Sequence, residues 1–272
     1  MKTSRTARPH QLSGKGLRLA RLFASPTNRS LIVPIDHSVT IGPLGRHDHA
    51  DQTAAMLADA GADAVIVHKG RARHMDPSRF SSLRLIVHLS AGTNLSLDST
   101  QKILVGSVEE CLALGADAVS VHVNVGSPTE GQQLADLGAV AAECDRLGMP
   151  LLAMMYHRSI VEHPESSSAR TLSHLGAIAT DLGADIVKLD YPGDREAMDE
   201  VVDSCPLPIV VAGGAYSTDD AAIDLGTRVA DSRVAGLSFG RHIFAADDPY
   251  RVASTLAHHL HTVPPSRTLE LA

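Results

Sequence analysis

Tryptophan is absent from this 272-residue sequence, and aromatic residues of all kinds make up only 3% of it. A core without large rings must be filled by Ala, Val, Leu and Ile, and the chain is 44% hydrophobic, so such a core can be large. Small and β-branched residues suit parallel strands covered on both faces, which are written as short apolar runs rather than alternating ones. Cysteine is also scarce. Cys111, Cys144 and Cys205 form no close-spaced pair and no zinc pattern, which leaves them as small packing residues of a chain kept in a reducing compartment, the cytoplasm. No apolar run approaches the ~20 residues of a membrane span. The segment Met1 to His10 carries Lys2, Arg5 and Arg8 with no apolar stretch behind them, so no secretion signal is expected. Excess positive charge is lacking too: the formal net charge is -7. That excludes a global attraction for nucleic acid or an anionic membrane, and any phosphate must be recognised locally on a small partner.

What is present is a regular alternation. Eight strand candidates run from Leu31 to Asp36, Ala64 to His68, Leu83 to Leu89, Ala118 to Val123, Pro150 to Tyr156, Asp185 to Asp190, Pro208 to Ala212 and Val234 to Phe239. Helical stretches separate most of them: Asp51 to Ala60, Glu130 to Leu147, Ser168 to Leu182, Arg195 to Ser204 and Thr218 to Ala230. Alternation of this kind implies right-handed β-α-β units and a parallel sheet. Eight units in a chain of this length predict one α/β domain, a single (β/α)8 TIM barrel, which typically needs roughly 250 residues. The barrel is expected over 17–262, between loose tails at 1–16 and 263–272. The segment Lys69 to Ser82 is too short for a full helix and contains Pro77, so that unit should be irregular.

An internal echo gives the register. Gly61-Ala62-Asp63, Gly115-Ala116-Asp117 and Gly183-Ala184-Asp185 each precede a strand. Counted from each glycine, one alternating set is Val65, Val67, Val119, Val121, Val187 and Leu189, which suits packing against helices. The other set should face the barrel axis: Ala64, Ile66, His68; Ala118, Ser120, His122; Ile186, Lys188, Asp190. Its polar members collect at the carboxyl ends of strands, where barrel enzymes carry their active sites.

Lys188 sits inside Ile186-Val187-Lys188-Leu189-Asp190, and a lysine amid apolar strand residues is rarely buried without a purpose. Desolvation would free its amine to attack a carbonyl. Lys69 is a weaker candidate, because its parity points outward. Asp36 ends an apolar run and is followed by His37; its carboxylate can shuttle protons beside an iminium. Tyr156, one of four tyrosines, could donate a proton to a carbonyl or alkoxide. Gly213-Gly214 and Gly240-Arg241 follow the last two strands, where barrels bind phosphate. Although there are 15 histidines, including His47 and His49 and the inward His68 and His122, no close ligand cluster is written in the sequence. Neither a metal nor a cofactor is expected.

These residues give the chain a family resemblance over about Leu17 to Phe244. Pro34-Ile35-Asp36-His37-Ser38-Val39, Val67-His68-Lys69-Gly70, Met154-Met155-Tyr156 with Arg158, Lys188, Gly213-Gly214 and Gly240-Arg241 resemble the class I aldolases of the archaeal fructose-bisphosphate aldolase and 2-amino-3,7-dideoxy-D-threo-hept-6-ulosonate synthase group. Leu85-Ile86-Val87-His88-Leu89-Ser90 and Asp117 to Asn124 are most similar to its bacterial branch, the 2-amino-4,5-dihydroxy-6-oxo-7-(phosphooxy)heptanoate synthases. The resemblance implies a Schiff-base lyase that joins dihydroxyacetone phosphate to aspartate semialdehyde in an aminohydroxybenzoate-type secondary pathway. Lys188 would be the Schiff-base lysine, Tyr156 the proton donor and Asp36 the general acid/base. Gly213, Gly214, Gly240, Arg241, His37 and Asp190 would contact substrate, and related barrels imply a homo-oligomer. The chain departs from the family pattern at His157 and Ser159 around Arg158, and at Leu189 and Asp190 after the lysine. Asp190 is expected inward, raising the lysine pKa. The alternatives are the same chemistry on fructose 1,6-bisphosphate or in the aminodideoxyheptulosonate reaction, a metal-dependent aldolase using His68, His122 and Asp36, and a non-catalytic sugar-phosphate-binding barrel.

Overall fold

The computed structural model describes residues 13–43, 50–158 and 167–263. Eight parallel strands close into a barrel: β1 (Ser30–Pro34), β2 (Ala64–His68), β3 (Arg84–His88), β4 (Ala118–Val125), β5 (Leu151–His157), β6 (Ile186–Leu189), β7 (Ile209–Ala212) and β8 (Gly236–Ser238). Each pairs with its neighbours in sequence order, and β1 pairs with both β2 and β8. The TIM barrel expected from the alternation is therefore the observed fold. The segment between β2 and β3 is irregular as expected, with one turn of helix at Lys69–Ala72 and a 3-10 turn at Pro77–Ser81. An unexpected addition follows β3: Ser90–Ala91 and Ile103–Leu104 form a small antiparallel pair.

The sequence echo has a mechanical cause. In each case the glycine has a positive φ (83°, 80° and 90° at Gly61, Gly115 and Gly183), so the chain can turn sharply out of the preceding helix. The aspartate then accepts a backbone N–H at the foot of the strand before it. Asp63 takes Leu31 at 2.7 Å, Asp117 takes Leu85 at 3.1 Å and Asp185 takes Leu151 at 2.9 Å. Each carboxylate thus satisfies a donor at a strand's start that would otherwise be orphaned. At the other end of the barrel, Ser168, Asp194 and Thr218 cap the helices that follow β5, β6 and β7 by accepting the N–H of Thr171, Ala197 and Ala221.

Two cores result from strand alternation. Val65, Val67, Val119, Val121, Val187 and Leu189 belong to the layer between strands and helices. Ile32, Ala64, Ile66, Ile86, Ala118, Leu152, Met154, Ile186 and Val210 fill the axis. The register deduced from the glycines therefore holds on all three strands. Leu22, on the helix Gly14–Leu22, joins the axial cluster together with Leu19 and Phe23. This helix plugs the amino end of the barrel, and it begins inside the stretch expected to be a loose tail to residue 16. Ser13 caps it, and Lys15 reaches Asp185 at 2.9 Å. The three cysteines are buried.

Along the axis, composition changes with height. The register partners Pro34, Ile66, Ile86 and Ala118 make an apolar layer. The next row up, His68, His88, Ser120, Leu152 and Ile186, turns polar on the β2–β4 side. Above it lie His122, Met154, Lys188 and Val210. An apolar floor therefore supports a polar mouth.

Candidate active site

The mouth opens into a cavity of about 370 Å³ lined by Asp36, His37, His68, His88, Lys102, His122, Tyr156, Arg158, Lys188 and Arg241, among others. A larger depression of about 640 Å³ shares only His68 with it and holds none of Asp36, Tyr156 or Lys188. Lys188 is 6% exposed. Burial draws its ammonium pKa down to about 8; Asp36 and Asp190 pull the other way, and Arg241 adds to the lowering. Roughly one molecule in ten then carries the free amine at pH 7, against roughly one in three thousand for an ordinary lysine.

Asp36 lies two residues beyond β1. Burial pushes its carboxyl up, but the charges of His88, His37, Lys188 and His68 outweigh that and hold it below the usual range. His88 is buried and drawn down to about 4, chiefly by burial, so it is neutral at pH 7. Tyr156 lies two residues past Met154, the register partner of Lys188 on the adjacent strand. Burial, with Asp190 nearby, raises its phenol above the ordinary value, so it stays protonated as a donor. Its ring is held between His122, centroid to centroid 4.8 Å, and the Arg158 guanidinium, 4.9 Å from the ring centre.

The substrate-contact candidates divide. His37 starts the short helix Ser38–Ile41, places its Nδ1 3.4 Å from Asp36 and meets the Phe244 ring edge-on. Arg241 reaches the cavity. Gly213, Gly214 and Gly240 are not in the cavity wall; they build the loops beneath Arg241. A Cβ on Gly240 would lie 2.4 Å from the Pro34 carbonyl and 2.8 Å from His37. Buried His242 hydrogen-bonds the Gly213 carbonyl, tying the loops after β7 and β8 together. Asp190 is within electrostatic reach of Lys188 and Tyr156, yet its ion-pair partner is Arg158 at 3.7 Å. Its expected upward pull on Lys188 is present and is overridden by burial.

Lys69 points outward as its parity requires, bound to Glu110 at 2.8 Å. His47, His49 and Ser159 lie outside the described residues. The histidines of the mouth have protein partners: His68 bonds the His88 carbonyl at 3.1 Å, His88 bonds Ser120 at 2.8 Å and lies 3.8 Å from Asp36, and His122 bonds Asn124 at 2.9 Å. Among the described residues no group of three or more His, Cys, Asp or Glu side chains is placed to hold a metal ion, so His68, His122 and Asp36 do not form the ligand set of the metal-dependent alternative. Sequence reasoning missed two ionisable residues of the wall. His88 follows from parity with Ile86, but no Gly-Ala-Asp echo precedes β3 to fix that register. Lys102 carries no sequence signal, because it stands just before Ile103, in the irregular segment between the two strands of the small antiparallel pair after β3.

Comparison with known proteins agrees with this geometry. Residues 30–246 match the DeoC/LacD family aldolases. Over 93% of its length the chain is 44% identical to the 2-amino-4,5-dihydroxy-6-oxo-7-(phosphonooxy)heptanoate synthase of Streptomyces griseus, covering 92% of that protein. Over 91% it is 38% identical to 2-amino-3,7-dideoxy-D-threo-hept-6-ulosonate synthase 1 of Archaeoglobus fulgidus, covering 91% of that protein. An archaeal fructose 1,6-bisphosphate aldolase structure superposes with a TM-score of 0.82 at 25% identity, covering 91% of this chain and 99% of that one. Another, described as a Schiff-base-forming fructose-1,6-bisphosphate aldolase, gives 0.80 at 25% identity, covering 90% and 99%. The chain belongs to the DeoC/LacD aldolase family and is a lyase of the Schiff-base class.

Proposed function

We propose that this aldolase joins dihydroxyacetone phosphate to aspartate semialdehyde through an imine on Lys188, giving 2-amino-4,5-dihydroxy-6-oxo-7-(phosphooxy)heptanoate for an aminohydroxybenzoate-type secondary pathway. The observation that carries the reading is a buried lysine drawn down to about 8 on the wall of a cavity shared with Asp36 and Tyr156. The Lys188 amine adds to the ketone carbon, and the resulting carbinolamine loses water to form an iminium. A proton leaves the adjacent hydroxymethyl carbon, and the electrons of that C–H bond enter the enamine. The enamine carbon then forms the new bond to the aldehyde carbon while the aldehyde oxygen takes a proton. Water hydrolyses the iminium and frees Lys188.

Asp36, ionised at neutral pH, accepts the carbon-bound proton; Tyr156, protonated, supplies a proton to departing hydroxyl or forming alkoxide and is reprotonated by the proton that Asp36 took from carbon or that hydrolysis of the iminium releases. Arg241 and the first-turn amides of the helix Arg241–Phe244 hold the phosphate. Gly213, Gly214 and Gly240 shape that loop pair, His37 orients the ketone, and Asp190 fixes Arg158 at the rim. The product name of the Streptomyces relative supports the donor and acceptor chosen here.

The deciding experiment is borohydride reduction with dihydroxyacetone phosphate, followed by mass spectrometry. The wild type should gain one reduced ketone adduct, and peptide mapping should place it on Lys188. An adduct on Lys188→Ala, or none on the wild type, would sink the mechanism. Product analysis with aspartate semialdehyde, and with the aldehyde halves of the two alternative reactions, separates the substrates. Buried free thiols suit a reducing cytoplasm, and no described helix is long and apolar enough to cross a membrane. A homo-oligomer in that compartment completes the assignment, to be checked by light scattering.

A further inference from the structure

Lys102 is, with Lys188, one of two buried lysines on the cavity wall. It is 8% exposed, and among the described residues its ammonium makes one hydrogen bond, a long one of 3.5 Å to the Ser99 carbonyl. Among the described residues it makes no salt bridge, as is true of Lys188 and Arg241, whereas Arg158 at the rim has Asp190. Burial draws its ammonium pKa down, and Asp36 and Asp98 oppose that only from a distance, so an ammonium with three donors has no carboxylate within ion-pair range and is costly unless something else completes it.

Its position is built. Lys102 packs across Gly92, where a Cβ would stand 2.9 Å from the ammonium nitrogen and 2.3 Å from the Gln101 carbonyl. The pair Ser90–Ala91 and Ile103–Leu104 that carries it is clamped from both sides. On one side Thr40, after β1, donates to the Gly92 carbonyl at 3.0 Å, and Asn94 donates back to the Thr40 carbonyl at 3.0 Å. On the other, Asn124 and Gln133 both donate to the Thr100 carbonyl, at 2.7 and 3.1 Å, and Ser90 accepts the His122 N–H at 3.0 Å.

Lys102 projects its charge into the β3–β4 side of the mouth, where it depresses both His122 and His88. Arg241 stands beyond β8, across the barrel in the strand order. Two positive poles thus share one cavity with Lys188. A product with phosphate at one end, carboxylate at the other and the imine carbon nearer the phosphate has the same arrangement. We propose that Lys102 is a specificity-determining residue that binds the carboxylate of the acceptor aldehyde, while Arg241 holds the phosphate of the donor. This rests on the aldolase reading above and names the feature by which the enzyme selects an amino-acid-derived aldehyde over an uncharged one.

The test removes the charge from each side in turn. With dihydroxyacetone phosphate as donor, kcat/KM is measured for succinic semialdehyde and its methyl ester, on the wild type, Lys102→Met and Lys102→Arg. Losing one partner of a buried charge pair predicts an acid-to-ester preference of about 30-fold or more in the wild type. That preference should collapse towards one in Lys102→Met, mainly through KM, and return in part in Lys102→Arg. Borohydride trapping on the same variants reports that the barrel has folded and forms the imine. An acid-to-ester ratio near one in the wild type overturns the proposal without any variant. A Lys102→Met enzyme that keeps the wild-type ratio overturns it as well, and leaves the aldolase reading standing. If the wild type is trapped by the donor but turns over neither aspartate semialdehyde nor succinic semialdehyde, the acceptor assignment fails and the role of Lys102 with it. Absence of trapping removes the aldolase reading itself.

Discussion

Replacing Lys188 by methionine should make the protein more stable at neutral pH, and the gain should fade as the solution becomes alkaline. The lysine is held in the fold with a pKa of about 8 against an ordinary value of 10.5. The folded state therefore disfavours the ammonium relative to the unfolded chain. Below pH 8 both states are protonated and the penalty is complete, at about 3 kcal/mol for a drop of this size. Between about 8 and 10.5 the unfolded chain binds more protons than the folded one, so wild-type stability rises through that window relative to a neutral side chain. Above it the penalty is gone. Methionine has similar length, no charge and the flexibility to fill the space. The assay is urea unfolding of both proteins at pH 7 and pH 9.5. The variant's advantage should shrink by about 2 kcal/mol over that interval. Other titrating groups are common to both proteins and cancel in the difference. A gap that does not change with pH would refute the argument, since it would mean that Lys188 is not desolvated in the fold. The penalty is the stability given up to keep a free amine at neutral pH, a trade seen widely where function needs a strained or desolvated group.

Two further substitutions test other parts of the site. Tyr156→Phe keeps the ring between His122 and Arg158 but removes the only proton it can give, so kcat should fall by about 10²- to 10⁴-fold with little change in thermal midpoint; a kcat within a factor of three of the wild type would remove Tyr156 from the chemistry. Gly240→Ala places a methyl group 2.4 Å from the Pro34 carbonyl and 2.8 Å from His37. The loop beneath Arg241 must shift, so KM for dihydroxyacetone phosphate should rise and stability drop by about 1–3 kcal/mol; wild-type values for both would show that the loop does not position the phosphate.

How much of this was legible before the fold was known depends on whether a residue's direction could be counted from something local. Lys188, His68 and His122 could be placed on the axis because a glycine of positive φ precedes each strand, and the aspartate two residues on anchors the foot of the previous strand. The chain repeats that device because the barrel repeats the joint. Asp36 and Arg241 were legible for a different reason: each stands just past an apolar run, and strand ends are where a barrel exposes polar groups. His88 had the right parity, but its strand lacks the glycine that would have fixed it.

Lys102 was out of reach, and the reason is physical. A helix or strand reports its buried face through periodicity, whereas a loop residue is oriented by whatever the loop is tied to. Lys102 is turned inward by hydrogen bonds from Thr40, Asn124 and Gln133 to the backbone around it, residues from the β1 loop, β4 and the helix after β4. Those tether points are separated by 93 positions from Thr40 to Gln133 (133 minus 40), and no local pattern reports contacts at that range. The frame of the barrel, with Lys188, Asp36 and the glycine turns after β7 and β8, is thus written in short segments. Lys102 sits instead on the segment after β3, whose orientation exists only once the barrel has closed.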